Sequence, residues 1–188
     1  MTDLAEALRR VSPVSDDAVA ALQAHVATRR FEADEWMLRG GEPARSVFLI
    51  VEGLARELYV GADGAEHTRS FVAEGRATGS LVDLLSGGPS VTWIQALEPT
   101  RALAWPWAEQ ERLAERFPDL QRLMRRVAED LYVRKALREH EMLALTAAER
   151  YRRWLAEHPD LDARLQRRHV ASYLGVSPEH LSRLRRRR

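Results

Sequence analysis

The spacing of apolar positions changes along the chain, and each change marks a different element. Near the start Leu4, Leu8 and Val11 share one helical face until Pro13 breaks the run. Ser15 can cap a second short helix carrying Val19, Leu22 and Val26. From Phe31 to about Pro106 the helical period disappears. VFLIV (residues 47–51) is a short apolar run, and Leu54, Leu58 and Val60 suggest strand alternation. Asp63 followed by Gly64 is a hairpin signal, and Glu74 followed by Gly75 marks another turn. HTRSFV, TWIQALE and RALAWPW read as further strands. Residues 79–90, GSLVDLLSGGPS, read as one or two helical turns set among them. Short strands at this spacing predict a small antiparallel barrel or roll.

Beyond Pro106 the helical period returns. Pro118 suits the first turn of a long helix, and residues 119–158 contain neither glycine nor proline. Leu120, Leu123, Met124, Val127 and Leu131 form a narrow stripe on it, the pattern of a two-helix seam. An ordinary core helix would give the same spacing. Thr146 and Glu149 form a capping box where the next helix begins, with Tyr151, Trp154 and Leu155 as its inner face.

The last stretch, residues 167–188, has a denser code. Val170, Ala171 and Leu174 line a first helix, and Gly175 supplies a left-handed reversal. Val176 plugs the turn, Ser177 caps a second helix, Pro178 opens it, and Leu181 and Leu184 return to the core. This is the helix-turn-helix pattern. It leaves Glu179, His180, Arg183, Arg186 and Arg187 on the outer face as candidate base contacts, arginine suiting guanine and glutamate cytosine. Arg167, Arg168, Arg185 and Ser177 are candidate phosphate contacts. A simple ion pair between Glu179 and Arg183 is the competing reading.

Charge sharpens this picture. From Arg164 onward eight arginines face one acid, Glu179, so this stretch carries +7 and the rest −6 of the net +1. That asymmetry suits a nucleic-acid partner, although Lys135 is the only lysine and arginine is the general cation of the chain. The absence of cysteine excludes disulfides, thiolate catalysis and cysteine-held iron–sulfur clusters. No membrane-spanning run or signal peptide is visible, so a cytoplasmic location and no membrane partner are expected.

In the order of its parts the sequence resembles the Crp/Fnr family of bacterial transcription regulators. The resemblance rests on RGGEPARSVFLIVEGLARELYV, the ADG turn, SFVAEG, the long helix, LTAAERY and ASYLGVSPEHLSRLRRR. It implies an α+β fold: helices and a cyclic-nucleotide-binding-like antiparallel β-roll over 1–117, a dimerisation helix over 118–145, and a helix-turn-helix domain over 146–188 lacking most of the family's wing. It implies a homodimer on a two-fold symmetric double-stranded DNA site, with RNA polymerase as a further candidate partner. The family's base-contacting triad reads Pro178, Glu179 and Arg183 here, with the first basic residue lost. The effector pocket would lie at Gly79, Ser80, Leu81, Asp83, Ser90 and Val91, with Val133 and Arg134 from the long helix. Ser80 and Ser90 replace the acid and the arginine that hold a cyclic nucleotide, so control by cyclic AMP is not expected and the effector is unknown. Asp83, Ser80 and Ser90 could instead hydrogen-bond some other polar ligand, with Arg134 or Arg76 to rescue an anion. Trp36 and Trp93 read as core and His67 as a surface residue rather than a haem ligand.

No cofactor or metal site is expected, because the six histidines are dispersed and only His67 falls in the β region. An enzyme is therefore not expected. The alternatives are an effector-sensing protein-interaction module that does not bind DNA, and a cyclic-nucleotide-responsive regulator with an atypical pocket.

Overall fold

The computed structural model describes residues 3–186. Two short helices, α1 (Leu4–Val11) and α2 (Asp16–Gln23), open the chain. Eight strands follow: β1 (Ala27–Phe31), β2 (Trp36–Leu38), β3 (Ser46–Glu52), β4 (Ala55–Val60), β5 (Glu66–Val72), β6 (Ala77–Thr78), β7 (Trp93–Ala96) and β8 (Thr100–Pro106), with α3 (Leu81–Ser86) between β6 and β7. They form two antiparallel sheets, ordered β1-β8-β3-β6 and β2-β7-β4-β5. After β8 come α4 (Trp107–Ala114), α5 (Pro118–Ala144), α6 (Ala147–Glu157), α7 (Arg167–Leu174) and α8 (Pro178–Arg186). This is the expected α+β roll with a long helix and a C-terminal helical unit. The β region begins earlier than expected, at Ala27. Val26 follows α2 instead of continuing it, and still packs against the helical core.

Three cores explain the pattern of the strands. Between the sheets lie Phe31, Leu38, Ile50, Ala55, Val72, Ile94, Ala96 and Ala102. Outside the first sheet, Leu49 and Trp105 pack under α1, α2, α4 and the start of α5. Outside the second, Leu54 and Phe71 pack under α6 to α8. Each sheet is covered on both faces, so residues 47–51 run apolar without alternating.

The long helix corrects one expectation. Leu120 and Leu123 are buried in this chain's own core, 0% and 3% exposed, with Leu4, Leu8, Leu22 and Leu113. They anchor α5 to the helical layer and are not available to a second chain. A hydrogen bond from the Ser15 N–H to Asp119 Oδ2 (2.7 Å) fixes the same end. Met124, Val127 and Leu131 stay half-exposed, so the unpartnered part of the stripe starts one turn later. At its far end α5 stops where Thr146 accepts from the Glu149 N–H (3.3 Å) and Glu149 accepts from the Thr146 N–H (2.8 Å), the expected capping box. Among the described residues no helix is long and apolar enough to cross a membrane.

Candidate nucleic-acid interface

The α7–α8 pair is built by local chemistry. Gly175 has φ +67°, which a Cβ would strain, and Val176 N–H closes the turn onto the Ala171 carbonyl (3.0 Å). Val170, Ala171, Leu174 and Leu181 are buried against Tyr151, Trp154, Leu161 and Leu165. The Ser177 hydroxyl accepts from the His180 N–H (3.2 Å) and caps α8, and Pro178 stands at its first position. Arg150 of α6 donates to the Leu174 carbonyl (3.1 Å) and the Leu145 carbonyl (2.6 Å), tying the pair to the end of α5.

With Leu181 inward, the opposite face of α8 points to solvent. Glu179, Arg183 and Arg186 are exposed and His180 is half-buried. Glu179's carboxyl is held below its ordinary value by its own backbone N–H, then by the Ser177 hydroxyl and the charge of Arg183. It is therefore an ionised acceptor at neutral pH. Among the described residues neither Arg183 nor Arg186 is in an ion pair, and the exposed Arg167 and Arg168 at the start of α7 are likewise unpaired. Arg187 lies outside the described residues.

Arg185 departs from the expected phosphate role. Its guanidinium turns inward to pair with Asp162 and donates to the Tyr151 hydroxyl (3.2 Å). The reason is position: Arg185 stands one turn after Leu181, on the side of α8 that faces α6 and the loop before α7.

Sequence reasoning missed how the helical unit sits on the roll. Arg164 binds Glu74 (2.9 Å) and Glu98 together, at two corners of the roll. The Ser172 hydroxyl donates to the Glu66 carbonyl (2.8 Å) and accepts from the Thr68 N–H (2.8 Å) along β5. The available signal was Leu54 and Phe71, apolar residues on the outward side of strands that already had an inward apolar face.

The expected effector pocket does not assemble as foreseen. Asp83, Ser80 and Ser90 are buried and bonded to one another, leaving no free group for a ligand. Val91 is exposed, and Leu81 lines a groove with Leu85, Trp107, Gln121, Met124, Arg125 and Ala128. Gly79 has φ +153°, and a Cβ there would come within 2.6 Å of the Ser46 carbonyl. Val133 is exposed, and Arg134 pairs with Asp130 (2.8 Å) on the surface of α5. The segment of α5 facing α3 is thus 121–128, at least five residues before the positions given by counting back from Thr146. Arg134 is exposed and pairs with Asp130 of the same helix. Trp36 and Trp93 pack edge to face, ring centres 5.0 Å apart, and His67 is exposed.

This architecture has relatives. A family model, the cyclic nucleotide-binding domain, matches residues 28–117. The transcriptional activator protein Anr of Pseudomonas aeruginosa is 27% identical over 177 residues, covering 83% of this chain and 68% of Anr. The chain is a homologue of Anr and has the Crp/Fnr fold. Among solved structures, FixK2 of Bradyrhizobium japonicum superposes with a TM-score of 0.74 at 24% identity, over 86% of this chain and 83% of FixK2. A CooA mutant from Carboxydothermus hydrogenoformans gives 0.75 at 19% identity, over 99% of this chain and 84% of CooA. Anr is by name a transcriptional activator, and the two solved structures share the fold of this chain.

Proposed function

We propose that this chain is a dimeric, DNA-binding transcription regulator of the Crp/Fnr type that works without cyclic AMP. One observation carries the reading. The outer face of α8 presents Arg183 and Arg186 with no ion-pair partner among the described residues, beside the ionised Glu179, while its inner face is engaged by Leu181. Cations left unpaired on one side of a capped, rigid helix suit major-groove reading. Arg167 and Arg168 flank it as phosphate contacts, and the N-terminus of α8 at Ser177 adds a partial positive charge. Arg185, held by Asp162, is left out of the contact set.

Dimerisation is supported by α5 beyond the core. Beyond Met124, which borders the groove at α3, Val127 and Leu131 continue the apolar stripe on a helix of 27 residues, about 40 Å long, and stay half-exposed among the described residues. Two such stalks would hold two α8 helices for successive grooves on one side of the duplex. The loss of free polar groups around Asp83 supports independence from cyclic AMP.

Selection of bound sequences from random double-stranded DNA by the purified chain, with and without cyclic AMP, tests the reading. A two-fold symmetric motif is expected, unchanged by the nucleotide and bound less tightly as salt rises. Equal, weak binding to all sequences would instead favour a protein-interaction module. A strict requirement for cyclic AMP would refute nucleotide independence.

A further inference from the structure

The segment from Gly79 to Thr92 has an unusual centre: a buried carboxylate with no cation. Residues 77–100 contain no lysine, arginine or histidine. Yet Asp83 is only 3% exposed and collects four donors. Ser80 Oγ stands 2.7 Å from Asp83 Oδ2, and Ser90 Oγ donates to the same oxygen. The backbone N–H groups of Thr92 (3.2 Å) and Val91 (3.3 Å) complete the set. The donors are themselves tied together, since Ser80 Oγ and Thr92 Oγ1 are 2.7 Å apart. Burial pushes the Asp83 carboxyl up, but the bonds from Ser90, Ser80, Val91 and Thr92 outweigh it and hold it below its ordinary value. It stays a carboxylate, stabilised by dipoles alone.

The backbone reports the same constraint. Ser80 has φ +54°, a left-handed conformation unfavourable for a residue with a Cβ. Such a residue persists where its surroundings hold it, and the Ser80 hydroxyl is held by Asp83 and Thr92. A second buried carboxylate, Glu57, lies next to this segment and accepts from Thr78 Oγ1 (2.5 Å) and Ser70 Oγ (2.9 Å). An incoming anion would meet donors already taken and the Asp83 carboxylate itself.

We propose that Asp83 is an intrachain anion, occupying the hydrogen-bond donors of this segment and keeping it closed with no ligand bound. The device deepens the proposed function, because it accounts for the nucleotide independence on which that reading rests. The closed segment is the resting state, and an anionic effector can enter only by displacing a carboxylate tethered beside its donors.

Thermal unfolding of the full chain tests this, using wild type, Asp83→Ala and Asp83→Asn, each alone and with formate, inorganic phosphate or cyclic AMP. Wild type should melt at one temperature in all four conditions. Asp83→Ala leaves four buried donors unmatched and should melt about 5 °C lower. Formate, which restores a carboxylate to the vacated space, should recover part of that loss. Asp83→Asn keeps the shape but turns an amide donor towards other donors. It should also melt lower and gain nothing from formate. If Asp83→Ala fails to fold, Asp83→Asn decides alone by melting below wild type or with it. Either variant melting with wild type overturns the proposal, as does an Asp83→Ala protein that formate leaves unmoved or a wild type stabilised by cyclic AMP. Melting is read without DNA. A chain that behaves as expected here but selects no DNA motif loses the functional reading and keeps the internal anion, while the reverse result separates them the other way.

Discussion

The outer face of β4 and the outer face of α8 both carry arginine, and they hold it in opposite ways. Arg56 on β4 is 3% exposed. It donates through Nε (2.9 Å) and Nη2 (2.6 Å) to Gln95 Oε1 and pairs with Glu66 at 2.5 Å. Every polar neighbour is aimed at it from within the chain, and α7 lies above. Arg183 on α8 is exposed, with no ion-pair partner among the described residues. Its helix is fixed by Leu181 below and Ser177 at the cap, so its backbone position is set while its guanidinium has no ion-pair partner among the described residues. The same residue type thus serves cohesion in one region and stands exposed without an ion-pair partner in the other. An arginine's burial and pairing, rather than its presence in a basic stretch, separate the two roles. Arg185 shows this at closest range, two positions from Arg183 and paired with Asp162.

The contrast is sharpest when one substitution is made in both places. Arg56→Ala strands the buried Gln95 oxygen and should lower unfolding free energy by about 2–4 kcal/mol in denaturant titration. Arg183→Ala should leave stability within about 0.5 kcal/mol of wild type and weaken binding to the selected DNA by about 1–3 kcal/mol, with relaxed choice at one base step. Equal effects of the two substitutions on stability would abolish the distinction.

Acid should probe the buried side of the comparison at the junction of roll and helix pair. His169 of α7 is 2% exposed, and burial, then the charges of Arg56 and Arg168, lower its pKa from 6.5 to about 4, against weaker opposing pulls from Glu66 and Asp34. A base with a depressed folded value binds its proton more readily when unfolded. Its contribution is therefore whole above about pH 6.5 and is lost as pH falls towards about 4. Stability should drop by roughly 1–3 kcal/mol over that window, and His169→Gln should flatten this part of the profile. A wild-type melting temperature that is level from pH 7 to 5 would place the imidazole in water.

Much of this was legible in the sequence where the cause is local. The capping box at Thr146, the reversal at Gly175, the hairpin glycine at 64 and the inward set of α7 and α8 each follow from residues within a turn of one another. What was not legible depends on distant elements. Leu120 and Leu123 have the same spacing as Met124 and Val127, and only the docking of α1 and α2, about a hundred residues earlier, makes the first pair core. Ser80, Asp83 and Ser90 read as polar groups near one another. Their mutual satisfaction requires the curl of the segment between β6 and β7, which no spacing reveals. The clamp from Arg164 to Glu74 and Glu98 joins positions 90 and 66 residues apart, beyond any periodic signal.

The smallest effect tests whether the rigidity of α8 matters in itself. Ser177 stands outside the arginine set, and its hydroxyl accepts from the His180 N–H. Ser177→Ala removes that cap and should cost about 1 kcal/mol of stability. If α8 reads DNA only because its cations are held on a fixed helix, the same change should weaken binding to the selected site more than binding to unrelated DNA. Non-specific binding draws on charge, which the substitution leaves intact, whereas base reading draws on placement. Competition between the selected site and random duplex at constant salt measures the ratio. An unchanged ratio would mean that the arginines act as a diffuse charge cloud, and the difference between Arg56 and Arg183 would then be one of burial alone.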